Sequence, residues 1–281
     1  MYLFALLPLA AVLSSAAVSC GGDDDGDKPA GDPTEKPSTA AWHVAWREDF
    51  NGSQLDANVW SRIPEGTPDW QKYQSADDRC YELADGVLTL KGIVNDDLQA
   101  DARPYLCGGV WTKDKKSLSI GDTKGLKVAV RARMAKQSRG AWPAIWMMPF
   151  STTSGWPACG EVDIMEHLNY DQSVYQTLHS DWIDNLGHKT DPQYSCQPSV
   201  NPAEWTTYEV FIFADRTVFR INGRETLTYP NLGKGLSQYP FFQAWDLRLD
   251  MQLGGSWVGQ ITPSTLPSTL EIDWVEVSNY Y

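Results

Sequence analysis

From residue 41 to the end, the chain is dominated by short runs in which apolar and polar residues alternate. A period of two turns one set of side chains inward and the other outward, which is the pattern of half-buried strands. The runs predict strands at His43–Phe50, Gly86–Ile93, Gly108–Thr112, Leu126–Ala135, Ala144–Met148, Glu161–His167, Val174–Ser180, Thr207–Phe213, Thr217–Ile221, Arg224–Tyr229, Arg248–Leu253 and Thr269–Ser278. No strong helical period and no internal repeat interrupts them. Asn222-Gly223 joins two of the runs and marks a hairpin, because both residues tolerate positive φ. Many short strands at this spacing predict a single all-β sandwich or barrel over residues 41–281.

The first forty residues read differently. Residues 1–19 hold an apolar run with Pro8 inside it, of signal-peptide length and short for a membrane span. Ala17-Val18-Ser19-Cys20 resembles a relaxed lipobox, so Cys20 is the expected lipidation site; no Lys or Arg precedes the run, and plain secretion is the alternative. Residues 21–40 carry six acids and two lysines and nothing apolar larger than Ala or Pro, the composition of a disordered tether. An acidic run after a lipidated Cys resembles a surface-export signal, and a solvated linker is the alternative. The chain is expected to be exported and held at a bacterial outer membrane through its lipid alone.

Charge and composition narrow the class. With 23 basic and 36 acidic residues, the net charge is −13. That balance argues against a nucleic-acid partner, which needs a basic face. Thirteen tryptophans are many. An indole N–H needs a partner when buried, so an abundance of Trp points to a wet, aromatic-lined surface suited to sugars. Four further cysteines, Cys80, Cys107, Cys159 and Cys196, allow three pairings in an exported chain. Cys80–Cys107 with Cys159–Cys196 is preferred; free buried thiols are the alternative. No CxxC or HxxxH pair supports a zinc site.

The chemistry gathers in Gly160-Glu161-Val162-Asp163-Ile164-Met165-Glu166. Alternation puts Glu161 and Asp163 on one face and Val162 and Ile164 on the other. Continued strictly, it would bury Glu166 on the apolar side at a cost of several kcal/mol. A β-bulge near Ile164–Met165 returns Glu166 to the acidic face. The two glutamate carboxyl groups can then approach to about 5–6 Å, the separation of a retaining glycosidase. Asp163 between them would share a proton or hydrogen bond and hold their pKa values apart. A solvated acidic face or a calcium site is the bland reading of the same residues.

These residues resemble the ExDxxE signature of glycoside hydrolase family 16. The resemblance runs from about Trp46 to the end. It takes in Glu48-Asp49-Phe50-Asn51-Gly52, the stretch from Arg139 to Met147, Thr177-Leu178-His179, Gly254-Gly255 and Ile272-Asp273-Trp274-Val275. It implies a concanavalin-like β-jelly-roll sandwich of two antiparallel sheets with a glycan cleft on the concave face. By resemblance, Glu161 is the nucleophile, Glu166 the acid/base and Asp163 the assisting acid. Trp142 and Trp146 are implied to lie beside the non-reducing-side subsites, and His179 close to the acid/base. Arg139, Gln252 and Trp257 complete the expected substrate contacts, while Trp70, Trp156, Trp182 and Trp245 read as packing or rim.

The implied activity is endo-hydrolysis of internal β-linkages with retention, by a monomer needing no cofactor; a structural calcium is common in the family. β-1,3- or mixed β-1,3/1,4-glucan is the first substrate expected. An endo-β-galactosidase-like O-glycanase acting on poly-lactosamine, mucin-type glycans or galactans is the second, and a non-catalytic surface glycan-binding protein the third. The chain departs from many β-glucanases at Asp69-Trp70-Gln71-Lys72-Tyr73-Gln74, where they carry an Asn-Asn-Glu turn.

Overall fold

The computed structural model describes residues 41–281. The expected signal peptide, Cys20 and acidic tether lie outside the described residues. The strands are β1 (Trp42–Glu48), β2 (Ser61–Arg62), β3 (Tyr81–Ala84), β4 (Val87–Val94), β5 (Tyr105–Cys107), β6 (Gly109–Trp111), β7 (Gly125–Lys136) and β8 (Ala141–Pro149). They continue as β9 (Glu161–Glu166), β10 (Tyr175–His179), β11 (Ser195–Cys196), β12 (Thr206–Phe213), β13 (Arg216–Ile221), β14 (Arg224–Pro230), β15 (Trp245–Leu253) and β16 (Ser268–Tyr280). One α-helical turn, α1 (Asp181–Asp184), follows β10. No described helix is long and apolar enough to cross a membrane.

The strands form two antiparallel sheets. One runs β14-β13-β12-β7-β16-β4-β3, with β1 on β16 and β5 on β4; the other runs β11-β10-β9-β8-β15-β6-β2. Between them lies the apolar half of each alternation. Leu126, Val128, Val130 and Ala132 of β7, Val162 and Ile164 of β9, and Leu247, Leu249, Met251 and Leu253 of β15 belong to one fully buried cluster. Each such side chain contributes about 1.5–3 kcal/mol by leaving water. In β16 the buried phase switches from Leu270 and Ile272 to Val275 and Val277. A register shift against β7 between Ile272 and Trp274 absorbs the extra residue. The Asn222-Gly223 turn is as predicted, with φ of 50° and 75° joining β13 to β14.

Each of the twelve expected runs contains a strand. β2, β3, β5 and β11, two to four residues each, are additional, and are too short to show a period. β8 starts at Ala141, before the expected Ala144, because Pro143 occupies a ladder position opposite Met251. The preferred disulfides are not formed: all four cysteines are free thiols. β10 separates Cys159, which precedes β9, from Cys196 in β11, which pairs with Gln176. Two strand spacings of about 4.8 Å exceed the Cα separation of about 7 Å that a disulfide can bridge. Cys80 and Cys107 are buried, and burial pushes the Cys80 thiol up to about 12.

Candidate active site

β9 lies within the seven-stranded sheet, between β8 and β10, and its bulge sets the site. Against β8, Trp146 pairs with Asp163, Ile145 with Met165 and Ala144 with Glu166, so Ile164 has no opposite number. Against β10, Glu161 pairs with His179, Asp163 with Thr177 and Glu166 with Tyr175. One extra residue thus brings Glu166 back to the face of Glu161 and Asp163, as charge burial required. The three acids line one pocket of ≈ 480 Å³ together with Trp142, Tyr175, Thr177, His179, Asp184 and Trp257.

The two glutamates keep different company. Trp142 Nε1 donates to Glu166 Oε1 at 2.9 Å. Trp156 Nε1 donates to Glu161 Oε2. Burial, followed by the charge of Asp163, raises the pKa of Glu166 well above the usual carboxylate range. Burial and the same charge push Glu161 up to about 8, against the pull of the His179 cation and the Trp156 indole. His179 gives Nε2 to Asp163 Oδ2 at 3.2 Å and Nδ1 to Asp184 Oδ2 at 3.1 Å. Burial alone would lower the imidazole pKa, but its two carboxylate partners raise it to about 11. His179 is therefore a cation at neutral pH, and Glu161 is nearer to it than Glu166 along the ladder.

α1 serves this arrangement. Ser180 caps it by accepting from Ile183 N, and the turn brings Asp184 back over its own start, where it also accepts from Ser180 N at 3.2 Å. Glu161, Asp163 and His179 place potential metal-ligating atoms within 4.8 Å of one another. Both imidazole nitrogens already hold carboxylates, and calcium takes six to eight oxygens. This set does not fit calcium, the bland reading of the acidic run.

The remaining expected contacts divide. Trp257 forms a wall of the pocket, edge-on to Trp142 at 5.2 Å and to Tyr175 at 5.0 Å. Trp142 lines the pocket through its bond to Glu166. Trp146 shares its face but is buried outside the acidic pocket, with Nε1 3.3 Å from Asp250 Oδ1 and its ring 4.8 Å from that of Trp70. Gln252 lies beside Trp142 in the ladder but is buried, donating to Asp250 rather than facing the acids. Arg139 is exposed on the turn before β8, tied through its backbone to Thr262 and Thr265 and away from the acidic pocket. His179 faces Glu161 and Asp163, whereas the residue across from Glu166 is Tyr175. Trp245 is core, as expected, and Trp182 stacks on His188 at 3.7 Å.

Sequence reasoning missed Tyr175 and Thr177, although both share the alternation that picks out His179 on β10. It also missed Asp184 of α1, Ser195 of β11, and Lys189 and Tyr194 from the loop between them, all of which line the pocket. Trp156, expected at the rim, reaches Glu161 from the loop before β9. Asp69 Oδ2 accepts from Ser256 N at 2.8 Å, so the Asp69–Gln74 segment holds the turn that carries Trp257. Gly255, at φ 132°, leaves room for that carboxylate, which a Cβ would approach to 3.2 Å.

A jelly-roll sandwich with an acidic, bulged strand on its concave face is the class that this fold and site define. Residues 113–209 match the family model described as XgeA-like, catalytic GH16 domain. A keratan-sulfate endo-1,4-beta-galactosidase of Sphingobacterium multivorum is 33% identical over 244 residues, 85% of this chain and 56% of that protein. The chain thus spans little more than half the length of that relative. A beta-glucanase of Rhodothermus marinus is 29% identical, covering 95% of this chain and 93% of the relative. Among solved structures, the laminarinase of Rhodothermus marinus superposes with a TM-score of 0.75 at 25% identity, covering 86% of this chain and 99% of the other. A structure from work on endo-acting O-glycanases that initiate mucin breakdown in the human gut microbiota gives 0.71 at 27%, covering 84% and 98%. The matched segment, which carries Glu161, Asp163 and Glu166, belongs to glycoside hydrolase family 16.

Proposed function

We propose that the protein is an endo-acting, retaining glycoside hydrolase that cuts internal β-linkages of a polysaccharide, with β-1,3- or mixed β-1,3/1,4-glucan as its first substrate. The observation that carries this reading is the bulge, which puts two glutamates of unlike surroundings on one pocket wall. Glu161 faces a cation and an indole N–H, so it yields its proton before Glu166 does. Glu166 has the indole of Trp142 but lies farther along the ladder from that cation, and its burial keeps it an acid. Glu161 attacks the anomeric carbon as the glycosidic C–O bond breaks, and the Glu166 proton goes to the leaving oxygen. Glu166 then takes a proton from water, whose oxygen displaces Glu161 and regenerates both groups. Asp163, held by His179, shares a hydrogen bond with Glu161. These side chains suffice for the chemistry, without a cofactor.

The beta-glucanase relative and the laminarinase neighbour support glucan. A second reading, an O-glycanase acting on β-linked galactose chains, is favoured by the Asp69–Gln74 segment. In place of an Asn-Asn-Glu turn it packs Trp70 edge-on to Trp146. The keratan-sulfate relative supports the same reading. One hydroxyl at carbon 4 separates the two sugars, and one misplaced hydrogen-bond partner decides that contrast. Chromatography of the products from laminarin, mixed-linkage glucan and mucin O-glycans tests both. Short glucan oligosaccharides that vanish with Glu161→Gln support the first reading; release from mucin alone supports the second; no product from any sinks both. The expected setting is the outer membrane, through a lipid on Cys20, and protease shaving of intact cells would remove an outward-facing domain.

A further inference from the structure

Three acceptors meet in the floor of the concave face without a donor. Asp250 Oδ2, Gln252 Oε1 and Gln74 Oε1 are sealed from solvent, and no N–H or O–H of the protein reaches them. They are neighbours. Gln252 Nε2 donates to Asp250 Oδ1 at 3.0 Å, and Gln74 Nε2 donates to the carbonyl of Met251, between the two, at 3.1 Å. Turning the Gln74 amide over would set its oxygen against that carbonyl. Gly109 shows how close Gln74 and Asp250 lie: a Cβ there would stand 2.6 Å from Gln74 Oε1 and 2.7 Å from Asp250 Cβ.

A buried acceptor facing another acceptor is destabilising, and one proton removes the conflict. We propose that Asp250 is a neutral acid and a positioning residue, donating from Oδ2 to Gln74 Oε1 while accepting from Trp146 and Gln252 through Oδ1. The inference rests on the reading of this face as a glycan cleft. Its consequence concerns two tryptophans. Gln74 ends the segment that carries Trp70, the Trp70 ring meets Trp146, and Trp146 Nε1 hangs from Asp250. A single carboxyl therefore ties both rings to the floor.

The surroundings favour the neutral form. The charged or titratable groups near Asp250 are Arg248 on its own strand and the thiol of Cys107 on β5. β8 contributes Trp146, β6 contributes Gly109, and the Trp70 segment contributes Gln74, all uncharged. Arg248 is engaged by Asp246, at 2.8 Å, and by the rings of Trp70, Trp111 and Trp146 at 5.7, 5.2 and 4.6 Å. Burial raises the pKa of Asp250 to about 7, against the Gln252 and Trp146 hydrogen bonds and the Arg248 charge. Ionisation would set Oδ2 against Gln74 Oε1 and loosen the Trp70 segment, so glycan affinity should fall as pH rises above neutrality.

Asp250→Asn separates charge from shape, since its amide donates to Gln74 and its carbonyl accepts from Trp146 and Gln252. Infrared difference spectra of the wild-type protein against Asp250→Asn at pH 6 read the proton directly. Affinity is measured from pH 5 to 9 for a laminarin oligosaccharide and a poly-lactosamine oligosaccharide, in a Glu161→Gln background and in the same background with Asp250→Asn. The expected result is a carboxylic-acid band lost in Asp250→Asn, and a Kd that weakens at least fivefold from pH 6 to 9 only where Asp250 is present. Glu166 titrates in both backgrounds, so the difference belongs to Asp250. No lost band, or the same alkaline weakening with Asn, overturns the proposal. A lost band with neither glycan bound would leave the neutral acid standing and sink the glycan reading instead. Asp250→Ala should bind weakly at every pH; if it fails to fold, the Asn comparison still decides.

Discussion

His179 sits directly across the β9–β10 ladder from Glu161, yet gives its Nε2 to Asp163, two positions along, at 3.2 Å. The imidazole thus holds the middle carboxylate of three and adds positive charge nearest the glutamate that must ionise. With Asp184 on its other nitrogen, it is a fixed cation rather than a proton shuttle at neutral pH.

Removing that cation should move the pH profile in one direction. His179 lowers the pKa of Glu161, so His179→Asn should raise it. The acid limb of kcat/KM should then shift upward by about 1–3 pH units. An unchanged limb would mean that Glu161 does not titrate in the profile.

The same histidine makes a stability prediction. Its folded pKa of about 11 lies above the ordinary 6.5, so its contribution is complete below about 6.5 and is lost as pH rises through 11. Melting temperatures of the wild-type protein and His179→Asn should therefore differ most at pH 5–6 and converge toward pH 11. A constant gap would point to packing instead.

Glu161→Gln and Glu166→Gln should each lower kcat by about 10³-fold or more without unfolding the domain. Glu161 has a folded pKa of about 8 against 4.5, so its burial destabilises the protein progressively as pH rises from 4.5 to 8. Glu161→Gln should consequently melt higher than the wild-type protein at pH 8, and by less at pH 5. Near-normal turnover in either variant, with contaminating activity excluded, would remove the role assigned to it.

Trp257 is half exposed and touches Trp142 and Tyr175 edge-on, so it should affect substrate more than fold. Trp257→Ala should raise KM about tenfold, the equivalent of ~1.4 kcal/mol, with little change in melting temperature. A fall in kcat at constant KM would place the ring at the reacting atoms.

Cys80 and Cys107 are buried thiols with pKa values raised by burial. In the native protein they should resist a thiol reagent and react once denaturant is added. Resistance that persists in denaturant and ends on reduction would reveal a disulfide.

The sequence by itself determined what depends on neighbours along the chain. Alternation placed the strands, and the cost of burying Glu166 required a bulge near Ile164–Met165. The ExDxxE run, the paired Trp142 and Trp146, and the Asn222-Gly223 turn were legible for the same reason: a strand's period and a turn's φ are local properties. Only the tertiary structure decided what lies beside what. Lateral register gave His179 to Asp163 and Tyr175 to Glu166. The loop before β9 brought Trp156 to Glu161, α1 brought Asp184 into the pocket, the turn before β8 left Arg139 outside it, and strand order kept Cys159 from Cys196. Alternation also could not say how deeply a face is covered. Trp146 and Gln252 follow the cleft-facing phase correctly, but Trp70 lies against one and Asp250 binds both, in a polar floor assembled from strands and a loop far apart in the chain.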